Sequence, residues 1–491
     1  MRLARVMGVG WFCVWAVLAS VEAGVGPGGA VKERGVLGRP LSKAEALNVA
    51  VACNGRLLQA RKEVEAAAGV SVQVRAIVLP QVLQHGEYRA RQDALVEANR
   101  NREPSVFEVD LPGLGFAEVQ GPVPPHVNNQ AWGGDIRIVQ SVYEGGRMRS
   151  AVRSSRLIRE QALLVFQSTV ADVLLAVGIA YDDVLSTGKQ VEVRRASVDL
   201  LSEYVRVAKA KAAAGAVTEF EVLREEVELA NAEAALVQAV GTHRVAKQLF
   251  VELLGQDLGP HVSDDLSLKL TSRLEARPYP RRLSEALGSA LARRTELAAL
   301  EKEERIREEN IIVAKAGGKP SVQAFAGYEV TSRVQSRNAG DALHGGFVGG
   351  QVSWPLFDGF LTQGRVKEAV ALRGKAGEAR AETARVVELQ VRTAWSDLRT
   401  ARAVLEAQTK NVGKAVRALE LVQMRYDEGA AVQVEVLSAQ TALTDARTTL
   451  VQGLRDHSVA RARLLRATGE DLRFAADAGR LDGNEREAKA P

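Results

Sequence analysis

Cysteine is almost absent: only Cys13 and Cys53 occur in 491 residues. Cys13 lies in an N-terminal stretch expected to be removed, which leaves Cys53 without a partner for a disulfide within the chain. Cys53 is therefore read as a small buried hydrophobe. The six histidines (His85, His126, His243, His261, His344 and His457) are dispersed and give no pair at ligand spacing. No metal site, no cofactor and no enzymatic chemistry is expected. His243 and His457 are read as solvated or interfacial. An excess of one charge is also missing, since 65 basic residues face 60 acidic ones for a net +5, well mixed along the chain. That excludes a nucleic-acid patch, and no nucleic-acid partner is expected. Proline is missing between Pro125 and Pro260 and between Pro355 and Pro491. A helix interior loses a hydrogen bond and clashes at proline, so those two stretches are read as helical.

The N-terminus carries Arg2 and Arg5, an apolar run from Val6 to Leu18, and the small residues of Val21-Glu22-Ala23 that a signal peptidase reads. Residues 1–23 are expected to be a signal peptide cleaved after Ala23, followed by a linker over 24–40. The run is too short for a stable anchor. Cys13 is not read as a lipidation site, because Gly10-Trp11-Phe12 precedes it instead of small residues.

The chain is written twice. Glu45-Ala46-Leu47, Ala50, Leu57, Pro80 and Tyr88 recur at an offset of 240 as Glu285-Ala286-Leu287, Ala290, Leu297, Pro320 and Tyr328. The offset then becomes 214 and stays there, relating Gly145 to Gly359, Gly215 to Gly429, Glu221-Val222-Leu223 to Glu435-Val436-Leu437, His243 to His457 and Gly255 to Gly469. The unit is too long for a solenoid repeat and means two copies of one architecture. The boundaries read as 41–255 for the first repeat, 256–281 for an inter-repeat segment, 282–469 for the second repeat and 470–491 for a tail. The first copy holds 26 extra residues between Tyr88 and Tyr143. Between the same two tyrosines the segment Asp93 to Gln130 is rich in proline and reads as a long surface loop.

Inside the proline-free tracts Val177, Val184, Val191, Val198 and Val205 recur every seven residues, and the second copy places Val391, Leu398, Leu405, Val412 and Leu419 there. This is a coiled-coil seam. The tract from Gly145 to Gly215 is long enough for a helix of roughly 100 Å. Gly215 and Gly429 end such helices as residues compatible with a left-handed cap. Helical pattern then resumes, giving one hairpin per copy with tips at 213–218 and 427–432. Leu163–Tyr181 is apolar enough to suggest a membrane helix, yet Asp172 interrupts it and its counterpart carries Glu378, Arg380, Glu382, Arg385, Glu388 and Arg392. Such charges do not lie in lipid.

A period of two appears after Pro80 and Pro320. Strand pairs are expected over 81–92 with 131–143 and 321–333 with 345–357. Trp132 and Trp354 fall on these strands, as an interfacial aromatic belt requires. Four strands of about ten residues cross a ~30 Å hydrocarbon core when tilted, but they cannot close a barrel alone, and open edges are forbidden in lipid. An oligomer must supply the rest.

Leu41-Ser42…Glu45-Ala46-Leu47…Ala50, the strand-entry prolines Pro80 and Pro320, the turns Val142-Tyr143-Glu144-Gly145-Gly146 and Pro355-Leu356-Phe357-Asp358-Gly359, the tips and the closing Leu253-Leu254-Gly255 together resemble the TolC-type outer-membrane efflux proteins. The resemblance spans Leu41 to Gly469. It implies a mainly α fold with membrane β structure: a homotrimer whose twelve strands form a barrel in outer-membrane lipid, continued by a helical tunnel in the periplasm. It further implies a passive channel that receives cargo from a periplasmic adaptor and an inner-membrane transporter of RND or ABC type, in efflux or type I secretion.

The resemblance also places a periplasmic gate at Glu221, Glu435 and Tyr426, and adaptor-docking tips at Gly215 with Ala216 and Gly429 with Ala430. Six acids in a trimer would favour cations at the entrance. An acid at such a position is also favoured by the helix macrodipole alone, and a tyrosine there also packs a helix end. Positions where family members carry an arginine and a second acid hold Ala431 and Ser438, so that part of the latch is missing. Two other readings compete with it. An exported coiled-coil scaffold has no use for paired strands of membrane-crossing length, and a periplasmic adaptor would have one hairpin with lipoyl-like β modules.

Overall fold

Ser42 starts the first helix by a reciprocal cap: its hydroxyl accepts from Glu45 N–H while the Glu45 carboxylate accepts from Ser42 N–H at 2.8 Å. The structure, a computed structural model, describes residues 39–92, 106–111, 115–120, 130–215, 217–256, 266–332 and 341–470. Helix α1 (Lys43–Cys53) stops at Asn54, whose extended backbone turns the chain and whose side chain caps α2 (Gly55–Ala76) by accepting from Arg56 and Leu57 N–H. The Asn54 amide also donates to Leu253 O at 2.7 Å, at the end of the hairpin α3 (Arg147–Ala213) and α4 (Glu219–Leu253).

The second copy repeats this layout in α5 (Leu283–Arg293), α6 (Thr295–Ala316), α7 (Leu361–Asp427) and α8 (Gln433–Ala467). Here Arg294 takes the place of Asn54, and its guanidinium donates to Arg466 O and Ala467 O. Both hairpins end on a left-handed glycine, Gly255 at φ +72° and Gly469 at φ +72°. A Cβ on Gly255 would lie 2.2 Å from Cys53 O, so the close approach of the two chain segments needs glycine there.

At 67 residues each, α3 and α7 run about 100 Å. Six of the ten seam positions are buried, Val177, Val184 and Val205 in α3 and Val391, Leu398 and Leu405 in α7, while Val191, Val198, Val412 and Leu419 are half-buried. Two apolar cores lie where the short helices meet the long ones. In the first, Leu47, Leu57, Val173, Leu174, Val177 and Leu254 surround Tyr181, whose ring meets Phe250 edge-on at 5.7 Å and whose hydroxyl donates to Leu41 O. In the second, Val387, Val391, Leu398 and Leu464 lie beside Trp395, stacked edge-on against Tyr279 at 5.9 Å. Trp395 occupies the position of Tyr181 in the duplicated unit.

The C-terminal half of the apolar stretch, Val173 to Tyr181, packs into the first core while Leu163 and Val165 are exposed, and Asp172 between them meets Arg466 at 2.7 Å. Ion pairs from α3 to α8 (Asp172 with Arg466, Asp183 with Arg455 at 2.6 Å) tie the two copies together, and Asp182 accepts from both Lys43 and Ser458.

Four strands form one antiparallel sheet in the order β2 (Gln81–Ala90), β5 (Gln130–Glu144), β7 (Ser321–Thr331) and β8 (Leu343–Ser353). Strands β1 (Pro40–Leu41) and β6 (Lys269–Leu270) make a two-residue parallel contact near the cores. Each copy passes from strand to long helix through two left-handed residues, Gly145-Gly146 in one and Gly359-Phe360 in the other.

Several expectations are corrected. The segment read as a loop contains β3 (Val106–Leu111) paired with β4 (Gly115–Gln120) as a separate hairpin. Strand β8 stops at Ser353, short of 357, because Pro355 has no N–H to continue a ladder. Trp354 therefore sits just past the strand. Cys53 is half-buried rather than core. His457 is buried with Nδ1 unpartnered, whereas His243 meets Thr187 Oγ1 at 2.9 Å; the position matching Thr187 holds Ala401. Residues 1–38 and 471–491, hence the expected signal peptide, most of the linker and most of the tail, lie outside the described residues.

Candidate functional site

The ladder register sorts the sheet into two faces. Paired residues in adjacent strands share a face, so Val82, Gln84 and Tyr88 stand with Trp132, Ile136 and Ile138, with Ala324, Ala326, Tyr328 and Val330, and with Val348 and Val352. The opposite face carries His85, Glu87, Arg89, Asp135, Arg137, Gln323, Glu329 and Gln351. The first face also holds His344 and the second Leu83, Val139, Phe325 and Phe347, but every charged side chain lies on the second, the alternation of a barrel wall. On the polar face Phe325 lies over Gly349 and Phe347 over Gly327, where a Cβ would come within 2.6 Å of each ring. Both edges, β2 and β8, are unpaired in the sheet.

At the other end, each long helix turns back at a left-handed glycine, Gly215 at φ +72° and Gly429 at φ +75°, with open space where a side chain would stand. Glu221 is the third residue of α4, and its carboxylate accepts Thr218 N–H at 2.9 Å in a capping box. Glu435 holds the matching place in α8, where Val432 offers no cap, and it faces Arg425 Nη1 at 3.7 Å. The two acids are exposed and each is tied to its own tip. Tyr426 meets neither of them. Its hydroxyl accepts from Lys211 Nζ at 3.0 Å, and the ammonium lies 5.1 Å from its ring centroid, joining the last turns of α3 and α7. Ala430 N–H closes its turn onto Arg425 O at 2.7 Å, while Ala216 lies outside the described residues.

Sequence reading missed Lys211 and Glu225. Glu225 of α4 is 3 % exposed, and burial pushes its carboxyl above the ordinary range. The one available signal was that the second copy places Ala439 at the matching position.

A sheet with one lipid-compatible face, continued by two ~100 Å hairpins in a duplicated chain, is the fold of TolC-type outer-membrane channels. The family model described as outer membrane efflux protein matches residues 286–470. The outer membrane efflux protein BepC of Brucella suis is 26 % identical over 338 residues, covering 68 % of this chain and 71 % of that one. Among solved structures, the Campylobacter jejuni CmeC outer membrane channel superposes with a TM-score of 0.69 at 14 % identity over 90 % of each chain. The outer membrane protein VceC of Vibrio cholerae gives 0.68 at 17 % identity over 87 % of this chain and 96 % of that one. Over residues 286–470, its second copy, the chain carries the pattern of the outer membrane efflux protein family. Its class is that of outer-membrane efflux channels, with a strand region in the membrane and a helical tunnel in the periplasm.

Proposed function

We propose that three copies of this chain join their sheets edge to edge into a twelve-stranded barrel and conduct cargo handed over at the helix tips by a periplasmic adaptor and an inner-membrane transporter. The observation that carries this reading is the four-stranded sheet with one apolar face and two unpaired edges. An open edge in hydrocarbon costs several kcal/mol for each unsatisfied group, which a neighbouring copy removes. The same apolar face disfavours a scaffold without a pore. Sedimentation of detergent-extracted protein is expected to give a trimer, and a soluble monomer in the absence of detergent would overturn the reading.

The helix tips form the periplasmic entrance in this reading. Glu221 and Glu435 place acidic groups there, Tyr426 with Lys211 holds the two tips of one chain together, and Gly215, Ala216, Gly429 and Ala430 present the surface an adaptor meets. Clustered carboxylates in a narrow, low-dielectric mouth focus their field on passing ions. Converting both Glu221 and Glu435 to Gln is expected to lower cation selectivity and divalent-cation block in planar bilayers. Because Arg425 offsets part of the Glu435 charge, whereas the Glu221 carboxylate accepts from the uncharged Thr218 N–H, the larger selectivity change is expected from Glu221→Gln. Unchanged ion preference in the double variant would leave the acids as helix caps only.

A further inference from the structure

The first turns of α4 and α8 face one another across a cleft of about 280 Å³, lined by Phe220, Glu221, Glu225, Val432, Gln433 and Leu437 among others. Glu225 is 97 % enclosed, judged from its 3 % exposure, and its Oε2 has no hydrogen-bond partner. Gln433 of α8 reaches the carboxyl from across the cleft. The charged and titratable groups around it are few and opposed. Arg224 favours the ionised form and Glu228 disfavours it, both on α4 itself. From α3, half-buried Tyr204 faces the carboxyl and is itself influenced by Asp427 of α7, while Gln423 of α7 reaches the Tyr204 hydroxyl. Lys209 of α3 is occupied by Glu226 at 2.7 Å. A buried carboxylate with one bare oxygen is costly, whereas a protonated carboxyl in the same place is tolerated.

We propose that Glu225 is a proton-operated latch between the two tips of one chain: protonated, it lets α4 stay packed on α8, and ionisation drives the cleft to open and hydrate it. The consequence for transport rests on reading the tips as the channel entrance. The sign follows from linkage. In the packed tip the carboxyl holds its proton to higher pH than it does in water, so opening releases a proton and is favoured as pH rises. The dependence is absent below the ordinary carboxylate pKa of about 4.3, where both forms are protonated. It vanishes again above the raised value, where both are ionised. Between the two limits the open-to-packed ratio grows by about tenfold per pH unit for each chain. The second copy has Ala439 at the matching position, so each chain carries one latch rather than two.

The test uses the full-length protein in detergent with spin labels at Ala214→Cys and Glu428→Cys, exposed caps outside the cleft, in a Cys53→Ser background. The label-to-label distance is expected to lengthen as pH is raised from about 5 to about 9. E225Q is expected to keep the short distance throughout, and E225M serves as a second non-ionisable variant should Gln disturb folding. A distance that lengthens with pH in both variants as it does with Glu225 present, or that never changes with Glu225 present, overturns the latch. In planar bilayers the open fraction is expected to rise with pH only when Glu225 is present. Absence of any conductance would fault the channel reading, while the label distances would still decide the latch.

Discussion

Arg466→Met is expected to destabilise the protein by about 1–3 kcal/mol at neutral pH, the cost of leaving the half-buried Glu296 carboxylate without its main partner. Arg466 ends α8 nearly buried. It donates through Nε to Asp172 at 2.7 Å and through Nη2 to Glu296 at 2.5 Å and Ser168 at 3.2 Å. Glu296 is held from the other side by Arg294 Nε at 3.0 Å. Burial alone would raise the Glu296 carboxyl, but the hydrogen bond from Arg466 and the charges of both arginines outweigh it and bring the pKa to about 2. A depressed carboxylate contributes stability that is present above its unfolded pKa and is lost as pH falls through the folded value. The gap between wild type and Arg466→Met should therefore be full above about pH 5 and small near pH 2. Unfolding of detergent-solubilised protein followed by circular dichroism against pH measures this. An equal loss at pH 7 and at pH 3 would mean that Arg466 matters through packing alone.

Which of these features were readable beforehand follows from their range. The duplication, the strands after Pro80 and Pro320 and the seven-residue seam each repeat at a local period, and the structure carries them in the four-stranded sheet and in α3 and α7. The β3–β4 hairpin was hidden by prolines, yet Pro104 and Pro112 flank its first strand rather than interrupt it. Its alternation of Phe107, Val109 and Leu111 with Glu108 and Asp110 was the better guide. The Arg466 network was out of reach, because its partners are separated by 170 to 298 residues and no local pattern couples them. At the tips, Thr218-x-x-Glu221 is a capping signature in plain sight. That Tyr426 would meet Lys211 across 215 residues, and that Glu225 would be enclosed against α8, depended on how the two hairpins pack together.

Gly215→Val and Gly429→Val are expected to abolish transport while trimers still assemble. Both glycines adopt φ near +70°, where a β-branched residue is an outlier costing about 1–2 kcal/mol or more. That strain is local, because no atom lies within 4 Å of the place an added side chain would take. Gly255 has nearly the same φ but sits against Cys53, so Gly255→Val should break the fold and provides the contrast. In the proposed reading the tip variants lose the close approach of an adaptor's helical hairpin, and a central contact worth about 2 kcal/mol is roughly 30-fold in affinity. Ala214-Gly215-Ala216 is smaller and less charged than Glu428-Gly429-Ala430, so Gly215→Val is expected to be the more damaging of the two. Trimer yield and efflux of a substrate in cells carrying each variant decide the matter. Normal efflux with both tips altered would show that docking does not use them, and loss of trimer would assign the glycines to folding alone.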